Sequence, residues 1–224
     1  TRAISRFPRS FRWTPLIVSG ESFFSYSAFD GAYRSTKGTC FVRVDILIKE
    51  GKKLKLVEVK SKSYDSNEDE FMGKRGGLIS KWKKYIYDIS FQKYVISNAH
   101  DEFEVEAHLY LADKNKKTSI DGLNQKFEIK RTDGSFEVVI NGDVTPTSLG
   151  NSILTMVNVD KEIDLVWKCA DNEDLLNLSF EEFIDRVSLN YNRDGKINPT
   201  IKNRCKKCEF QTNEIEENAV KKSG

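Results

Sequence analysis

The segments Phe-Val-Arg-Val-Asp-Ile-Leu-Ile at residues 41–48 and Leu-Lys-Leu-Val-Glu-Val-Lys at residues 54–60 decide the fold of this chain. Both are rich in β-branched side chains, which is typical of buried strands. Residues 49–52 between them include a glycine and predict a tight turn. Because side chains alternate along a strand, Glu58 and Lys60 share one face. The sequence therefore predicts an antiparallel hairpin that carries charged side chains in an apolar setting.

The length of this turn decides whether an acid on the first strand meets Glu58. If the loop has two residues (50–51) or four (49–52), Asp45 faces Leu56 and lies on the Glu58 face. Asp45 and Glu58 are then diagonal neighbours, roughly 7–8 Å apart at the backbone, and their carboxylates can converge on one hard cation. A turn of one or three residues would place the two acids on opposite faces.

Burial makes the charges of Asp45, Glu58 and Lys60 energetically unfavourable. On the opposite face of the second strand, Val57 and Val59 are predicted to pack against helices. A charge held near a core costs several kcal/mol unless it is paired or bound to a metal. Two acids and a lysine on one face are accounted for if a divalent cation balances the acids. Lys60 is then free to act on a substrate.

The alternative interpretation is a surface ion pair on an edge strand, with no metal. A second Glu-x-Lys pattern, Glu128-Ile-Lys130, lies in another predicted strand and shows how weak the pattern is alone. Its upstream acid, Asp121, falls in a predicted loop, whereas Asp45 is joined to Glu58 by a single turn. This difference favours the first set as a functional site.

Strands and helices alternate through the rest of the chain. We predict helices at 78–98, 151–170 and 179–189, a strand at 103–111, and a hairpin of 127–131 and 135–140 around the turn 132–134. The polar, glycine-containing segment 61–77 predicts a mobile loop. Residues 1–20 are basic and aromatic, and they are expected to pack over the domain or, alternatively, to follow a nucleic-acid strand.

Gln92 is a polar residue on the apolar side of the first predicted helix. It lies three residues after Ile89 and four before Ile96, so its amide needs hydrogen-bond partners. Asp88 is one turn earlier on the same side. One interpretation is a satisfied core amide. The functional one is that Gln92 faces the hairpin and helps to orient a metal shell or a phosphate.

Composition bounds the class of protein. The 224 residues carry a formal net charge of +2, with 38% hydrophobic and 31% charged residues, which predicts a substantial core under a solvated surface. No apolar run reaches the roughly 18 residues of a membrane span, so we expect a soluble protein without a membrane partner. Four cysteines are too few and too scattered for a disulfide scaffold, which favours a reducing cytoplasm.

Three segments resemble motifs of RecB-like nucleases in the PD-(D/E)XK superfamily, and in particular of an uncharacterised bacterial family related to CRISPR-associated adaptation exonucleases. They are Val-Asp-Ile-Leu at 44–47, Leu-Val-Glu-Val-Lys-Ser at 56–61 and Asp-Ile-Ser-Phe-Gln-Lys-Tyr at 88–94. The segments 136–145 and 205–210 are similar to that family as well. The resemblance implies an α/β, restriction-endonuclease-like fold with a mixed central sheet flanked by helices.

The resemblance spans about residues 25–212 and implies a single nuclease domain there. Residues 1–24 are then an N-terminal arm, and residues 213–224 are a flexible tail. Because the chain begins at Thr1, it is expected to be trimmed or to be a piece of a longer protein. Further domains of that protein would be its partners, together with DNA.

The same resemblance implies roles for the site residues. Asp45, Glu58 and the Val59 carbonyl would bind Mg²⁺ or Mn²⁺, while Lys60 would steady or activate the attacking water. Gln92 would complete the catalytic set. Further supporting candidates are Asp88, Tyr94 and Glu21, and candidates for contacting DNA are Lys62, Lys74 and Arg75.

The cysteines depart from the family pattern. Relatives with an iron–sulfur cluster use one cysteine upstream of the nuclease core and three near the C-terminus, whereas this chain has Cys40, Cys169, Cys205 and Cys208. A four-cysteine cluster would need Cys40 or a residue before Thr1. Two free thiols near the tail are an equal alternative, and zinc is a third.

Three functions compete at this point. The first is a metal-dependent nuclease that hydrolyses DNA, in endo or exo mode. The second is a catalytically degenerate nuclease fold that binds nucleic acid or a protein partner. The third is a metal-free interaction domain in which Glu58 and Lys60 are a surface ion pair. Metal titration separates them, since only a metal site gains stability from the cation.

Overall fold

The chain forms a mixed α/β fold in the computed structural model, which describes residues 29–34, 39–68, 70–74, 76–132, 135–168 and 175–195. The strands in these ranges are β1 (Phe29–Arg34), β2 (Thr39–Val44), β3 (Ile46–Glu50), β4 (Lys53–Tyr64), β5 (Glu104–Asp113), β6 (Phe127–Thr132), β7 (Ser135–Ile140) and β8 (Leu154–Asn158). The helices are α1 (Ser80–Ala99), α2 (Pro146–Leu149), α3 (Asp160–Lys168) and α4 (Phe180–Asn192). None of these helices is both long and apolar enough to cross a membrane.

A four-stranded mixed sheet in the order β3-β4-β5-β8 forms the centre of the fold. β3 and β4 are antiparallel, β4 and β5 are parallel, and β8 runs antiparallel to β5 at the edge. Parallel neighbours need a crossover connection, and α1 supplies it between β4 and β5. Two further antiparallel pairs, β1–β2 and β6–β7, form separate two-stranded sheets.

The core lies between one face of the sheet and α1. Leu56 of β4 and Leu109 of β5 are fully buried there, and so are Trp82, Ile86 and Ile89 of α1. The last three recur at three- to four-residue spacing, which is the spacing of one helix face. α1 therefore covers the side of β4 that carries Leu56, and it also contacts β1, β2, β5 and α3.

The β3–β4 register differs from the predicted one by two residues. Glu50 pairs with Lys53, so the turn consists of residues 51 and 52, and Gly51 adopts a φ of +60°. Two-residue hairpins favour a positive φ in the turn, and this glycine fixes where the turn falls. Leu56 consequently faces Leu47, and the prediction that it faces Asp45 is wrong. A shift of two residues leaves every side chain on its predicted face.

The two faces of β4 are assigned differently from the prediction. Val59 is 41% exposed, and Val57, although buried, lies outside the main core cluster. The expectation that both valines pack against helices is therefore wrong. The helix-covered face is the one that carries Leu56 and Glu58, because α1 packs on that side. The charges of β4 consequently lie at the end of the core itself, where they need partners.

The segment predicted as a mobile loop is partly strand and partly core. β4 continues to Tyr64, and both Tyr64 and Phe71 are buried. Their rings stack at 5.5 Å between centroids, and Phe71 meets Trp82 edge-on at 5.0 Å. The prediction followed the polar composition of residues 61–77, but these two aromatic side chains bury enough apolar area to hold the segment against α1.

The predicted helix at 151–170 is wrong in its first half. Residues 154–158 form β8, with Val157 opposite Leu109, and the helix begins only at Asp160. Pairing with β5 outweighs the local helical pattern, as tertiary contacts commonly do for short segments. The strand at 103–111, the hairpin of β6 and β7, and a helix beginning after Ser179 are confirmed.

Asp160 joins α3 to the sheet and to α1. Its carboxylate accepts hydrogen bonds from Lys93 Nζ at 2.7 Å, from Ala107 N at 3.0 Å and from Asn158 Nδ2 at 2.9 Å. Burial raises the pKa of Asp160, but these donors outweigh burial and hold the pKa below its usual range. The folded state therefore prefers the charged form of this carboxyl.

Asp160→Asn is expected to lower the free energy of unfolding at neutral pH by about 1–3 kcal/mol, because the largely buried Lys93 loses its charged partner. A depressed folded-state pKa gives stability that is present above the unfolded pKa and is lost as pH falls through the folded one. The difference from the unchanged protein, measured by urea unfolding, should therefore shrink in acid. Asp164→Asn breaks only the exposed pair with Lys168 and should cost under about 0.5 kcal/mol. Equal losses for both variants would contradict this assignment.

Candidate active site

Five polar side chains meet where β4 passes beneath α1. Asp45 lies in the bend between β2 and β3, Glu58 and Lys60 follow each other on one face of β4, and Asp88 and Gln92 are one turn apart on α1. Strand alternation places Glu58 and Lys60 on the helix-covered face of β4. The four-residue spacing of Asp88 and Gln92 on α1 directs both of these side chains towards that face. The structure thus brings together the four predicted catalytic residues and Asp88.

Asp45 ties the bend to β4. Its Oδ2 accepts a hydrogen bond from the backbone N–H of Val59 at 2.9 Å. Ile46 pairs with Val57 in the antiparallel ladder of β3 and β4. Asp45 and Glu58 are the next residues along the chain beyond that pair, on the same side of it. The Asp45 side chain is exposed, and its second oxygen has no hydrogen-bond partner among the described residues. One carboxylate oxygen is therefore available to a ligand at the rim of the cluster.

Glu58 is the buried acid of the cluster. Only 6% of the residue is exposed, and its carboxylate accepts hydrogen bonds from Lys60 Nζ and, at 3.0 Å, from Gln92 Nε2. Burial raises the pKa of Glu58, and the negative charge of Asp45 adds to this effect. The contacts with Lys60 and Gln92 act in the opposite direction without cancelling the rise. A neighbouring cation thus favours the ionised form of Glu58, whereas burial favours the neutral form.

Lys60 supplies that cation. Its ammonium group bridges Glu58 and Asp88, the latter at 3.1 Å. Burial lowers the pKa of Lys60, but the hydrogen bonds and charges of the two acids more than offset this, so that the net shift is upward. The lysine is therefore protonated at neutral pH and serves as the counter-ion of both carboxylates.

Gln92 has an unsatisfied acceptor. The residue is 5% exposed, and its Nε2 donates to Glu58 at 3.0 Å and to Asp88 Oδ1 at 3.3 Å. Its Oε1 is buried and makes no hydrogen bond within the described structure. An unpaired buried acceptor costs free energy. A donor from outside the chain, such as a water molecule, would remove that cost.

The donors of the cluster suit a hard divalent cation, although they are few. Asp45 and Glu58 offer carboxylate oxygens, the ligands that Mg²⁺ prefers, and Mg²⁺ commonly keeps several waters. Among the residues described, no group of three or more His, Cys, Asp or Glu side chains is placed to hold a metal ion. Both oxygens of Glu58 already accept a hydrogen bond, so a cation would either share these oxygens with Lys60 and Gln92 or displace one of the two.

The Glu-x-Lys pattern of Glu128 and Lys130 lies in a more exposed environment than that of Glu58 and Lys60. Glu128 and Lys130 pair at 3.6 Å on β6, with 53% of each side chain exposed. The pair lies on a two-stranded hairpin in which Lys130 faces Glu137 and Glu128 faces Val139, and not in a sheet covered by a helix. Glu58 and Lys60 by contrast keep 8% and 22% side-chain exposure. The same three-residue pattern is therefore a surface ion pair at Glu128 and Lys130 and part of a buried cluster at Glu58 and Lys60.

The remaining predicted residues are dispersed. Tyr94 packs edge-on against Phe180 of α4 at 5.8 Å, and Lys74 is exposed. Lys62 lies over the rings of Trp82 and Tyr85 near the end of β4. Glu21 and Arg75 lie outside the described residues, as do the predicted arm (1–24) and tail (213–224).

Of the four cysteines, the structure describes only Cys40. It is buried on β2, with its sulfur 3.7 Å from Ser188 Oγ of α4, beside a depression of about 220 Å³. Cys169, Cys205 and Cys208 lie outside the described residues, so the iron–sulfur and zinc predictions stay predictions. A larger depression of about 900 Å³ lies between β5, β8 and α2, and neither depression is lined by Asp45 or Glu58.

Sequence reasoning missed Lys84 and Tyr85. Both lie on α1 near Lys60 and Lys62, and the lysines approach the Tyr85 ring. A signal was present, because Tyr85 lies three residues before Asp88 and seven before Gln92, on the same helical side.

The chain was compared with protein-family models, with curated proteins and with solved structures, and none of them matches it. The likeness to RecB-like nucleases therefore rests on the residues of this chain alone.

Proposed function

We propose that this chain is a metal-dependent nuclease that hydrolyses DNA phosphodiester bonds, on a restriction-endonuclease-like fold. The observation that carries the proposal is the buried Glu58, held between Lys60 and Gln92 with Asp45 beside it. A buried carboxylate with a raised pKa, in contact with a lysine, is typical of functional sites. A purely structural role would be served as well by apolar side chains.

Asp45 and Glu58 would hold Mg²⁺ or Mn²⁺, with the Val59 carbonyl as a further oxygen ligand. When bound, the cation would supply Lewis acidity that activates water and stabilises charge on the phosphate. Lys60 would then give up its contact with Glu58 and keep the one with Asp88, which lies 3.1 Å away. Asp88 thereby holds the ammonium group near the site, where it can contact a phosphate oxygen or the attacking water. Gln92 Oε1 would accept a hydrogen bond from a water in that site.

A second candidate is a degenerate nuclease fold that binds nucleic acid or a protein without cleavage. It is favoured by the fact that Glu58, Lys60, Asp88 and Gln92 already satisfy most of one another's hydrogen bonds. Such a network is stable without a cation. The two candidates differ in what a metal does to the protein.

Metal titration followed by thermal unfolding separates these candidates. Mn²⁺ at a hundred times its Kd is expected to stabilise the nuclease by about 2.7 kcal/mol, because it binds only the folded state. Asp45→Ala should abolish this gain, whereas Asp121→Ala, in an exposed turn, should leave it intact. The same protein should cleave labelled DNA in Mn²⁺ and not in EDTA, with the activity co-eluting with the chain. If Mn²⁺ neither stabilises the protein nor supports cleavage, the nuclease proposal fails and the degenerate nuclease fold remains as the candidate.

A further inference from the structure

Three lysine side chains surround the Tyr85 ring where the end of β4 meets the start of α1. The Nζ atoms lie 4.8 Å from the ring centroid for Lys84, 5.7 Å for Lys62 and 5.8 Å for Lys60. Lys62 also lies 5.2 Å from the centroid of Trp82. Tyr85 itself is half-buried. Positive charges from two separate elements thus crowd around one aromatic side chain.

The charges of this group are only partly balanced. Lys60 is paired with Glu58 and Asp88, but Lys62 and Lys84 form no ion pair with any residue of the described ranges. Like charges at short range repel, and an anion from outside the chain would stabilise them.

The lysines and the candidate active site form one continuous surface. Along β4 the residues on the helix-covered face run from Glu58 through Lys60 towards Lys62, and along α1 the matching side runs from Gln92 through Asp88 to Tyr85. Lys60 belongs to both places, because it contacts Asp88 and also lies over Tyr85. A ligand on Tyr85 would therefore extend directly to Lys60.

We propose that Lys62, Lys84 and Tyr85 form a docking surface for single-stranded DNA, here called the Tyr85 platform. The two lysines bind phosphates, and the Tyr85 ring stacks on a base adjacent to the phosphate that reaches Lys60. The inference rests on the proposed function, because it treats the platform as the approach to the site of Asp45 and Glu58.

The aromatic ring is the reason for choosing a single strand. Cation–π contacts at partly exposed positions are weak, and lysine side chains are long and flexible, so a phosphate can draw Lys62 and Lys84 away from the ring. The uncovered ring then offers a stacking surface, and unpaired bases stack on aromatic side chains regardless of sequence. Duplex bases are already paired and stacked, so a duplex would use the lysines and not Tyr85.

Fluorescence anisotropy with labelled oligothymidylate, and with a mixed-sequence duplex of equal length, tests the platform. Titrations in EDTA prevent cleavage, and a salt series separates phosphate binding from stacking. Lys62→Ala with Lys84→Ala should flatten the salt dependence of single-strand binding by about 0.7 in log–log slope for each phosphate that the variant no longer binds. The control pair is Lys52→Ala with Lys117→Ala, two exposed lysines without ion pairs in the described structure, of which Lys52 lies at the other end of β4.

Tyr85→Leu should weaken single-strand binding by about tenfold and leave duplex binding unchanged. Tyr85→Phe should retain affinity, and this variant guards against a packing defect at the Tyr85–Trp82 contact. Equal losses for the platform and control lysine pairs, equal losses of both DNA forms in Tyr85→Leu, or no binding by the unchanged protein would overturn the proposal. If the chain binds DNA through the platform but does not cleave DNA in Mn²⁺, the platform proposal stands and the nuclease proposal fails. If the chain cleaves DNA in Mn²⁺ but the platform variants bind DNA as well as the unchanged protein does, the nuclease proposal stands and the platform proposal fails.

Discussion

Replacing Glu58 with glutamine is expected to reduce metal-dependent cleavage by about a thousandfold while the protein stays folded. The glutamine has nearly the same shape and can still accept a hydrogen bond from Gln92, but it carries no charge for a cation. Lys60 keeps its ion pair with Asp88, so no charge is left isolated. Single-turnover cleavage rates in Mn²⁺ measure the loss, and thermal unfolding shows whether the fold is retained.

The chain provides a matched control for this experiment. Glu128 has the same Glu-x-Lys pattern, in an exposed pair with Lys130 on a two-stranded hairpin. Glu128→Gln should therefore cleave at the unaltered rate. If Glu58→Gln keeps its rate within about tenfold of the unchanged protein, Glu58 is not a metal ligand, and the site loses its main acid.

The common face of Asp45 and Glu58 could be predicted from sequence because it depends only on parity. A register shift of two residues preserves the alternation of side chains, so the predicted parity holds although the observed register is two residues away from the expected one. The contact between Gln92 and Asp88 was also accessible, since helical spacing alone places them together. Local geometry of this kind is contained in a single segment.

Features that depend on contacts between distant segments could not be predicted. β8 is a strand because β5 offers it an edge, and nothing within residues 154–158 alone decides between strand and helix. Phe71 is buried because Tyr64 and Trp82 meet it from β4 and α1. The strand that pairs with β8 is far away in the sequence, and the partners of Phe71 lie on two other elements, whereas the local composition suggested a different structure in both cases.

The Lys60–Asp88 bridge also depends on tertiary structure, and it changes the interpretation of the lysine. From the sequence, Lys60 was a group left free once a metal balanced the acids. In the structure it is the counter-ion of Glu58 and Asp88. If Glu58 also binds a cation, Lys60 and that cation compete for one carboxylate. The competition has a consequence that can be measured.

Lys60→Met is expected to reduce cleavage by about a hundredfold or more and, at the same time, to retain or increase the stabilisation by Mn²⁺. Methionine preserves much of the length of the side chain but removes the ammonium group, so Glu58 loses the competitor for its Oε1 while catalysis loses its cation. The two readouts, single-turnover rate and metal-induced thermal shift, should therefore move in opposite directions. A residue that only supports packing would lower both.

The control for this variant is Lys130→Met, which removes the lysine of the exposed Glu-x-Lys pair and should alter neither readout. Cleavage at the original rate in Lys60→Met would remove this lysine from the mechanism. A complete loss of the Mn²⁺ effect would show instead that the ammonium group is needed to keep Glu58 ionised, since its burial raises the carboxyl pKa. The direction of the metal response thus separates competition for Glu58 from support of its charge.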